Sequence, residues 1–282
     1  MRDATPTFPI GTVDLSSGPT LTYLEEGSLS GIPVVLLHGI GDSMRAFDLL
    51  LPHLPDSMHA FALSQRGHGD SSRPASGYRP ADFAGDVRAF LDAVGVSRAV
   101  IVGHSMGSWI AQQFAVDHPD RTLGLVLVGA FATVAGSAAW LDIDRAVAGF
   151  ADTVDREFVV EFQASTLARR VPDAFFDLVV RESLKMPARV WRQIATDFLA
   201  APRIERGAIR TPTLVVWGDR DAYCPRAHQD SLLATIPRAR LEIYAGAGHA
   251  LHWEEPARFV ADLAAFVETL EVGGRARARD PR

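Results

Sequence analysis

Short apolar runs alternate, along most of the chain, with stretches in which apolar residues recur every three or four positions. Runs of the first kind are typical of strands buried on both faces, and stretches of the second kind are typical of amphipathic helices. The alternation predicts an α/β fold with a mostly parallel sheet flanked by helices. The predicted strands are residues 21–25, which we expect to be antiparallel, and residues 33–37, 59–63, 99–102, 123–128, 213–217 and 239–244.

Helical periodicity predicts the elements between these strands. Ser43 is a helix-capping residue type, and apolar residues follow it at helical spacing over residues 44–54. Pro80 suits the first turn of a helix that Gly95 can end, and a later helix stops at Pro119. A last helix is predicted over residues 256–270.

The pattern changes between residues 131 and 210, where several helical patterns occur without a clear buried strand. We interpret this segment as a helical insertion over the main sheet, and most of its many aromatic residues as packing between helices. The predicted organisation is a core of residues 1–130 and 211–272, a helical cap of residues 131–210, and a disordered tail of residues 273–282.

Composition narrows the class of protein. The net charge of −6 and the absence of a basic stripe outside the C-terminal tail argue against nucleic-acid binding. Cys224 is the only cysteine, so an intramolecular disulfide is impossible, and we expect a reducing, cytoplasmic setting. The start of the chain predicts no signal peptide, and glycines interrupt the uncharged segment 123–141, so we expect no membrane association.

The strongest chemical signal is the sequence Gly103-His104-Ser105-Met106-Gly107. It lies between a predicted strand and a predicted helix, which is the setting of a nucleophile elbow. The turn is so tight that the residues flanking the serine must be small, and it aims a helix N-terminus at the serine hydroxyl. Ser105 is therefore the candidate nucleophile.

A serine hydroxyl needs a base, and the base needs an acid that fixes its tautomer. His249 follows a glycine-rich loop after the last predicted strand and is the candidate base, with His252 as its competitor. Asp219 and Asp221 both follow the strand 213–217; we favour Asp221 as the acid and leave Asp219 open. The chain order of serine, aspartate and histidine is the one expected on this kind of sheet.

Two backbone N–H groups must stabilise the oxyanion. One is expected from Met106, directly after the nucleophile. The other is expected from Ile40, because Gly39 allows the chain to turn sharply before it. We interpret the neighbouring His38 as a structural hydrogen-bonding residue.

Taken together, these motifs resemble the α/β-hydrolase family, and in particular its serine esterase-like members with a helical cap. The resemblance rests on His38-Gly39, the segment 65–71, the elbow, the segment 218–221, and Gly248-His249 with Pro256 downstream. It places the family's nucleophile, acid and base on Ser105, Asp221 and His249, and it implies no metal ion and no organic cofactor. One departure is Ser64, where the family often has an aspartate, in a loop that we interpret as structural.

The resemblance implies a hydrolase that cleaves a small-molecule carboxylic ester through an acyl-enzyme, with a small apolar or aromatic monoester as the first guess. A serine at the elbow argues against epoxide hydrolases and haloalkane dehalogenases, which are similar but use a carboxylate there. A lactonase, a C–C bond hydrolase, a perhydrolase and a ligand-binding member without turnover share the same three residues, and they stay open. The sequence does not indicate an oligomeric state.

Overall fold

The computed structural model describes residues 8–277. Within them the chain forms one eight-stranded sheet. The strands are β1 (Ile10–Asp14), β2 (Thr20–Gly27), β3 (Ile32–Leu37), β4 (Met58–Ser64), β5 (Ala99–His104), β6 (Thr122–Val128), β7 (Thr213–Gly218) and β8 (Ala239–Tyr244).

Helices connect the strands and cover both faces of the sheet. They are α1 (Pro80–Ala93), α2 (Met106–Asp117), α3 (Ala138–Ala148), α4 (Arg156–Ser165), α5 (Asp173–Leu184), α6 (Ala188–Leu199), α7 (Arg226–Thr235), α8 (Leu251–Glu254) and α9 (Pro256–Arg277). None of the helices in residues 8–277 has the length and apolarity that crossing a membrane requires.

The strand order is β1-β2-β4-β3-β5-β6-β7-β8, and all pairs are parallel except β1 with β2 and β2 with β4. The predicted α/β class with a mostly parallel sheet is therefore confirmed. Side chains of β3 alternate between the two faces: Val35 and Leu37 join the core beneath α1 and α2, whereas Val34 and Leu36 join the core beneath α9. Burial on both faces explains why β3 is a continuous apolar run.

The segment predicted as a helical cap contains α3 to α6, where α3 packs on α6 and α4 packs on α5. The boundaries of the cap at residues 131 and 210 stay a prediction. At the other end of the chain, α9 runs to Arg277, past its predicted end at residue 270 and into the segment predicted as a disordered tail. Residues 278–282 of that predicted tail lie outside the described residues.

Two local expectations differ from the structure. Residues 44–54 form two 3-10 turns, Met44–Phe47 and Leu51–His53, instead of one α-helix. Pro52 lies in the second turn, and because proline lacks an N–H it cannot donate the α-helical hydrogen bond to the Asp48 carbonyl that would join the two turns into one helix. Ser43 nevertheless caps the first turn, since its Oγ accepts a hydrogen bond from the Arg45 N–H at 3.1 Å. The strand β1 was not predicted from the sequence, because it lies at the sheet edge and its residues are all exposed or half-buried.

Candidate active site

The loops that follow β3 and β5 lie side by side at the carboxyl edge of the sheet. Leu37 at the end of β3 pairs with Gly103 near the end of β5, so the chain leaves both strands at the same level. β7 and β8 pair up to Gly218 and Tyr244, so their following loops also open at this edge. Ligand sites of open α/β sheets form at this edge, next to the point where strand order reverses.

Ser105 occupies a strained turn between β5 and α2. Its φ of 54° is the only positive value among non-glycine residues in the described part of the chain. Strain of this kind costs about 1–3 kcal/mol and is held by the surrounding structure. A Cβ on Gly103 would lie 2.1 Å from the Gly107 carbonyl oxygen, and one on Gly107 would lie 2.2 Å from the Leu37 carbonyl oxygen. The flanking glycines are therefore required by close backbone contact.

His249 is held by Asp221. The imidazole Nδ1 donates to Asp221 Oδ2 at 2.9 Å, and both side chains are buried. The other oxygen, Oδ1, accepts the backbone N–H groups of Tyr223 at 2.8 Å and Cys224 at 2.9 Å. In the neutral imidazole this bond keeps the proton on Nδ1, so Nε2 is the acceptor nitrogen and points away from Asp221. His249 and Ser105 line the same chamber, although no hydrogen bond joins Ser105 Oγ to the imidazole among the described residues.

The structure separates the alternatives that the sequence left open. Asp219 lies apart from the histidine and accepts the Gly246 N–H at 2.6 Å, so it fixes the loop that carries His249. His252 is buried without a hydrogen-bond partner on either ring nitrogen among the described residues, and burial lowers its pKa to about 3. It packs against His104 at a ring distance of 4.4 Å and faces the core. The geometry therefore brings Asp221 and His249 together, whereas Asp219 and His252 form no hydrogen bond with either of them.

Ile40 lies in a tight turn closed by the Asp42 N–H, which donates to the Gly39 carbonyl at 3.3 Å. Gly41, at the third position, has φ of 81°, as a type II turn requires. The left-handed residue is thus Gly41 and not Gly39, where the sequence predicts the sharp turn. The N–H of Ile40 donates to no acceptor within residues 8–277, and the N–H of Met106, first in α2, has no acceptor within its helix.

His38 and the segment 65–71 hold the turn of Ile40 from behind. His38 Nδ1 donates to the Gly39 carbonyl at 2.7 Å, and Nε2 accepts the Gln65 N–H at 3.0 Å. Burial, the main cause, lowers the pKa of His38 well below its usual value, so the ring is neutral. Ser64 Oγ accepts the Met44 N–H at 3.1 Å. These contacts agree with the structural interpretation of His38 and of the loop.

A small chamber of about 20 Å³ lies above Ser105. Besides Ser105, His249, Ile40 and Asp42, its wall is largely aromatic, with Phe131, Trp140, Phe162, Tyr223 and Trp253. The volume is close to that of one water molecule. A larger cleft of about 770 Å³ lies between α3, α4 and the loop after β7, and shares Ile143, Phe162 and Tyr223 with the chamber. Tyr223 Oη and Ser165 Oγ lie 2.5 Å apart at this shared wall.

One chamber residue was not found from the sequence. Asp42 is buried, and its Oδ1 accepts a hydrogen bond from Gln163 Nε2 on α4 at 2.8 Å. Burial outweighs this bond and raises the pKa of the Asp42 carboxyl to about 7. No local pattern could reveal the contact, because the two residues are 121 positions apart.

Asp221, Cys224 and His249 are the only group of three metal-ligand types that converges within residues 8–277. Their donor atoms already have partners, since Cys224 Sγ donates to the Gly129 carbonyl at 3.1 Å and the other two side chains bond each other. Burial also raises the pKa of the Cys224 thiol well above its usual value. A protonated thiol is a poor metal ligand, so we assign no metal to this group.

Comparison with known proteins gives a consistent picture of the fold. The family model described as the alpha/beta hydrolase fold matches residues 32–256. A 2-hydroxymuconate semialdehyde hydrolase of Pseudomonas putida is 30% identical, over 89% of this chain and 91% of that protein. The dihydrolipoyllysine-residue acetyltransferase component of an acetoin cleaving system from Cupriavidus necator is 29% identical, over 93% of this chain and 69% of that protein.

Among solved structures, the esterase RhEst1 from Rhodococcus sp. ECU1013 superposes with a TM-score of 0.81 at 26% identity, over 93% of this chain and 99% of that one. The names of these similar proteins refer to different reactions. They agree on the family, and the choice among reactions has to come from the residues of this chain.

Proposed function

The chain belongs to the α/β hydrolase fold family, and from that premise we propose that it is a serine hydrolase that cleaves a carboxylic ester through an acyl-enzyme. Ser105 is the nucleophile, His249 the general base and Asp221 the residue that orients the base. The N–H groups of Ile40 and Met106 form the oxyanion hole. The reaction consumes an ester and water and releases an acid and an alcohol.

In the first half-reaction, Ser105 Oγ attacks the ester carbonyl carbon while His249 Nε2 takes the hydroxyl proton. The carbonyl electrons move onto the oxygen, where two N–H donors can each contribute about 3 kcal/mol to the stability of the transition state. When the tetrahedral intermediate collapses, the bond to the alkoxy oxygen breaks and His249 returns the proton to the leaving alcohol. Asp221 stabilises the transient imidazolium without taking its proton.

In the second half-reaction, water takes the place of the alcohol. His249 removes a proton from this water, whose oxygen attacks the acyl carbon. The second tetrahedral intermediate releases the acid and returns the proton to Ser105. The chamber of about 20 Å³ has room for such a water beside the serine.

The observation that carries the proposal is the strained Ser105 turn, which lines the same chamber as His249, the histidine that the buried Asp221 holds. Close backbone contacts allow only glycine on both sides of this strained turn, and the turn itself does not pack the sheet. It exposes a hydroxyl beside a histidine whose tautomer is fixed.

A C–C bond hydrolase is the second candidate, because the similar Pseudomonas putida protein carries such a name. A muconate-type substrate bears a carboxylate, and a binding site for it is expected to supply a cation. No residue that lines the chamber or the cleft is Arg or Lys in the described structure, and Asp42 is an acid. Because the described residues of the cavities offer no cation for a substrate carboxylate, we favour ester hydrolysis over C–C bond hydrolysis.

The proposal is tested by steady-state hydrolysis of p-nitrophenyl esters of increasing acyl length, with the native protein and Ser105→Ala measured together. Turnover by the native protein and a loss of several orders of magnitude in Ser105→Ala support it. Ser108→Ala is the matched control, since Ser108 Oγ only donates to the Ser105 carbonyl on α2. An inert native protein, or equal activity in Ser105→Ala, would refute the esterase assignment.

A further inference from the structure

Asp42 is an acid in the wall of the chamber that holds Ser105. Its side chain belongs to a residue only 4% exposed, and it follows directly on the turn of Ile40 and Gly41. Gln163 Nε2 donates a hydrogen bond to Asp42 Oδ1, and a backbone hydrogen bond in the Gly39 turn also favours the ionised carboxyl. The rest of the nearby wall is mostly aromatic, so the carboxyl faces a space of low polarity.

Asp42 has no cationic side chain as an ion-pair partner among the described residues. From α4 it meets the neutral amide of Gln163, and from the loop after β8 it meets His249, whose charge would favour the carboxylate. His104 on β5 faces the same side of Gly39 as Asp42, because a Cβ on Gly39 would lie 3.0 Å from Asp42 Oδ2 and 3.2 Å from His104 Nδ1. Burial lowers the pKa of His104 well below the usual value, so this ring is neutral. The charge on Asp42 is therefore not cancelled by its surroundings.

The adjoining cleft has the same sign of charge. Glu161 lies on its wall and forms no ion pair with another described residue, whereas the other acid there, Asp142, is paired with Arg145. Within the described residues, the walls of the two cavities together carry the buried Asp42, the unpaired Glu161 and the paired Asp142, and the rest is mostly apolar surface.

We propose that the site selects uncharged esters and discriminates against esters that carry a free carboxylate on the acyl part, and that Asp42 is the residue that sets this selectivity. The proposal rests on the ester hydrolysis proposed above and narrows its substrate class. An acyl group bonded to Ser105 begins in the chamber whose wall includes Asp42, and one larger than about 20 Å³ pushes the shared wall toward the cleft. A carboxylate on that acyl group then lies in the same space of low polarity as the Asp42 carboxyl. Two like charges roughly 6 Å apart in a partly buried site correspond to about 100-fold in kcat/KM.

The half-esters of aromatic diacids are then poor substrates, although the corresponding diesters are good ones. This outcome is opposite to the one expected for an enzyme that binds its substrate through a carboxylate. It refines the aromatic monoester guess from the sequence, because the aromatic part is kept and the free acid is excluded.

The test compares a diester and the half-ester of the same diacid, dimethyl and monomethyl terephthalate, at pH 8. The measured quantity is the ratio of their kcat/KM values in the native protein and in Asp42→Asn. Asparagine keeps an oxygen that accepts from Gln163 and removes the charge. We expect the ratio to fall about 100-fold in Asp42→Asn. In the matched control Glu157→Gln, an exposed acid of α4 that lines neither cavity, we expect a change below about threefold.

A second arm needs no variant. Burial places the pKa of Asp42 near 7, whereas the carboxylate of the half-ester stays ionised between pH 8 and pH 6. Asp42 gains a proton over this range, so the ratio in the native protein should fall toward that of Asp42→Asn, which stays flat. Any pH dependence of catalysis that the two substrates share cancels in the ratio of their kcat/KM values.

The results separate this proposal from the esterase assignment. A ratio that is the same in the native protein and Asp42→Asn, or that does not change with pH in the native protein, overturns the selectivity while ester hydrolysis stands. Failure of both esters and of all p-nitrophenyl esters contradicts the proposed function itself. If Asp42→Asn does not fold, the pH arm in the native protein decides.

Discussion

The imidazole of His249 and the carboxylate of Asp221 form a buried hydrogen bond of 2.9 Å between Nδ1 and Oδ2. The carboxylate is itself fixed, because its second oxygen accepts two backbone N–H groups from its own loop. A buried carboxylate with all these partners cannot rotate freely, and it holds the ring in one tautomer. The orientation of the proposed base is therefore a property of the loop after β7.

We predict that Asp221→Asn lowers kcat for ester hydrolysis by about 1,000- to 10,000-fold. The amide can present an N–H to the imidazole and stabilise the tautomer in which Nε2 carries the proton, which cannot act as a base. The measurement is steady-state hydrolysis of a p-nitrophenyl ester under saturating substrate, with circular dichroism to confirm the fold.

Asp219→Asn is the matched control for this prediction. It keeps an oxygen for the Gly246 N–H and lies outside the pair, so we expect less than a tenfold loss. A larger loss in Asp219→Asn than in Asp221→Asn would exchange the roles of the two aspartates.

The comparison of sequence with structure shows which information is local. The tight turn at Ser105 and the chain order of Ser105, Asp221 and His249 could be predicted, because they depend on short motifs and on strands whose loops open at one edge. The partnership of Asp42 with Gln163 could not, since it depends on how α4 lies over the sheet. The α-helix predicted over residues 44–54 was wrong because the spacing of apolar residues does not take into account that Pro52 has no N–H to donate.

Gly103→Ala should abolish the elbow. Its Cβ would lie 2.1 Å from the Gly107 carbonyl oxygen, so backbone atoms at the start of α2 must move. We expect a loss of at least about 2 kcal/mol in the free energy of unfolding and a loss of ester hydrolysis. Urea unfolding followed by fluorescence measures the first quantity.

Gly85→Ala is the control for that substitution. A Cβ at this position in α1 meets no atom within 4 Å, and alanine favours helix over glycine by about 1 kcal/mol. We therefore expect a stability equal to or above that of the native protein. Equal destabilisation by both substitutions would contradict the steric explanation of the elbow.

His252→Leu should reduce the acid sensitivity of the fold. Burial, the larger cause, and the nearby His249 lower the pKa of His252 to about 3, whereas the unfolded chain has the usual value near 6.5. Between these values the unfolded state binds one more proton, so native stability falls as the pH falls. Between about pH 5.5 and pH 4, we expect the variant to lose about 1.4 kcal/mol less per pH unit than the native protein.

The measurement is urea unfolding at several pH values from 8 to 4. Asp42 and Asp48, whose pKa values burial raises to about 7 and about 6, act in the opposite direction, because their contribution is lost as the pH rises. They are present in both proteins and cancel in the difference between the two curves, which then reports His252 together with its effect on the neighbouring His104. His53→Gln, at an exposed site, is the control and should keep the native slope. Parallel curves for His252→Leu and the native protein would contradict the prediction.

The hydrogen bond between Tyr223 and Ser165 should control access to Ser105. The chamber of about 20 Å³ is too small for a long acyl group, and Tyr223 stands in the wall that separates it from the cleft of about 770 Å³. Tyr223→Phe and Ser165→Ala both remove this bond, which joins α4 to the loop after β7, and Ser165→Ala also removes the bond that Ser165 Oγ donates to the Phe162 carbonyl at 2.7 Å. We expect each to raise kcat/KM for a p-nitrophenyl ester of eight carbons several-fold relative to the acetate, because the wall opens more easily.

A double-mutant cycle gives this prediction its control. Once Ser165 is alanine, Tyr223→Phe has no bond left to break, so the double variant should match Ser165→Ala, and the coupling free energy should equal in size the effect of Tyr223→Phe alone. The acetate serves as the internal reference, because an acyl group of two carbons needs the smallest opening. Additive effects of the two substitutions would mean that they act on different contacts. An unchanged ratio of long to short esters in all three variants would show that the substrate reaches Ser105 by another route.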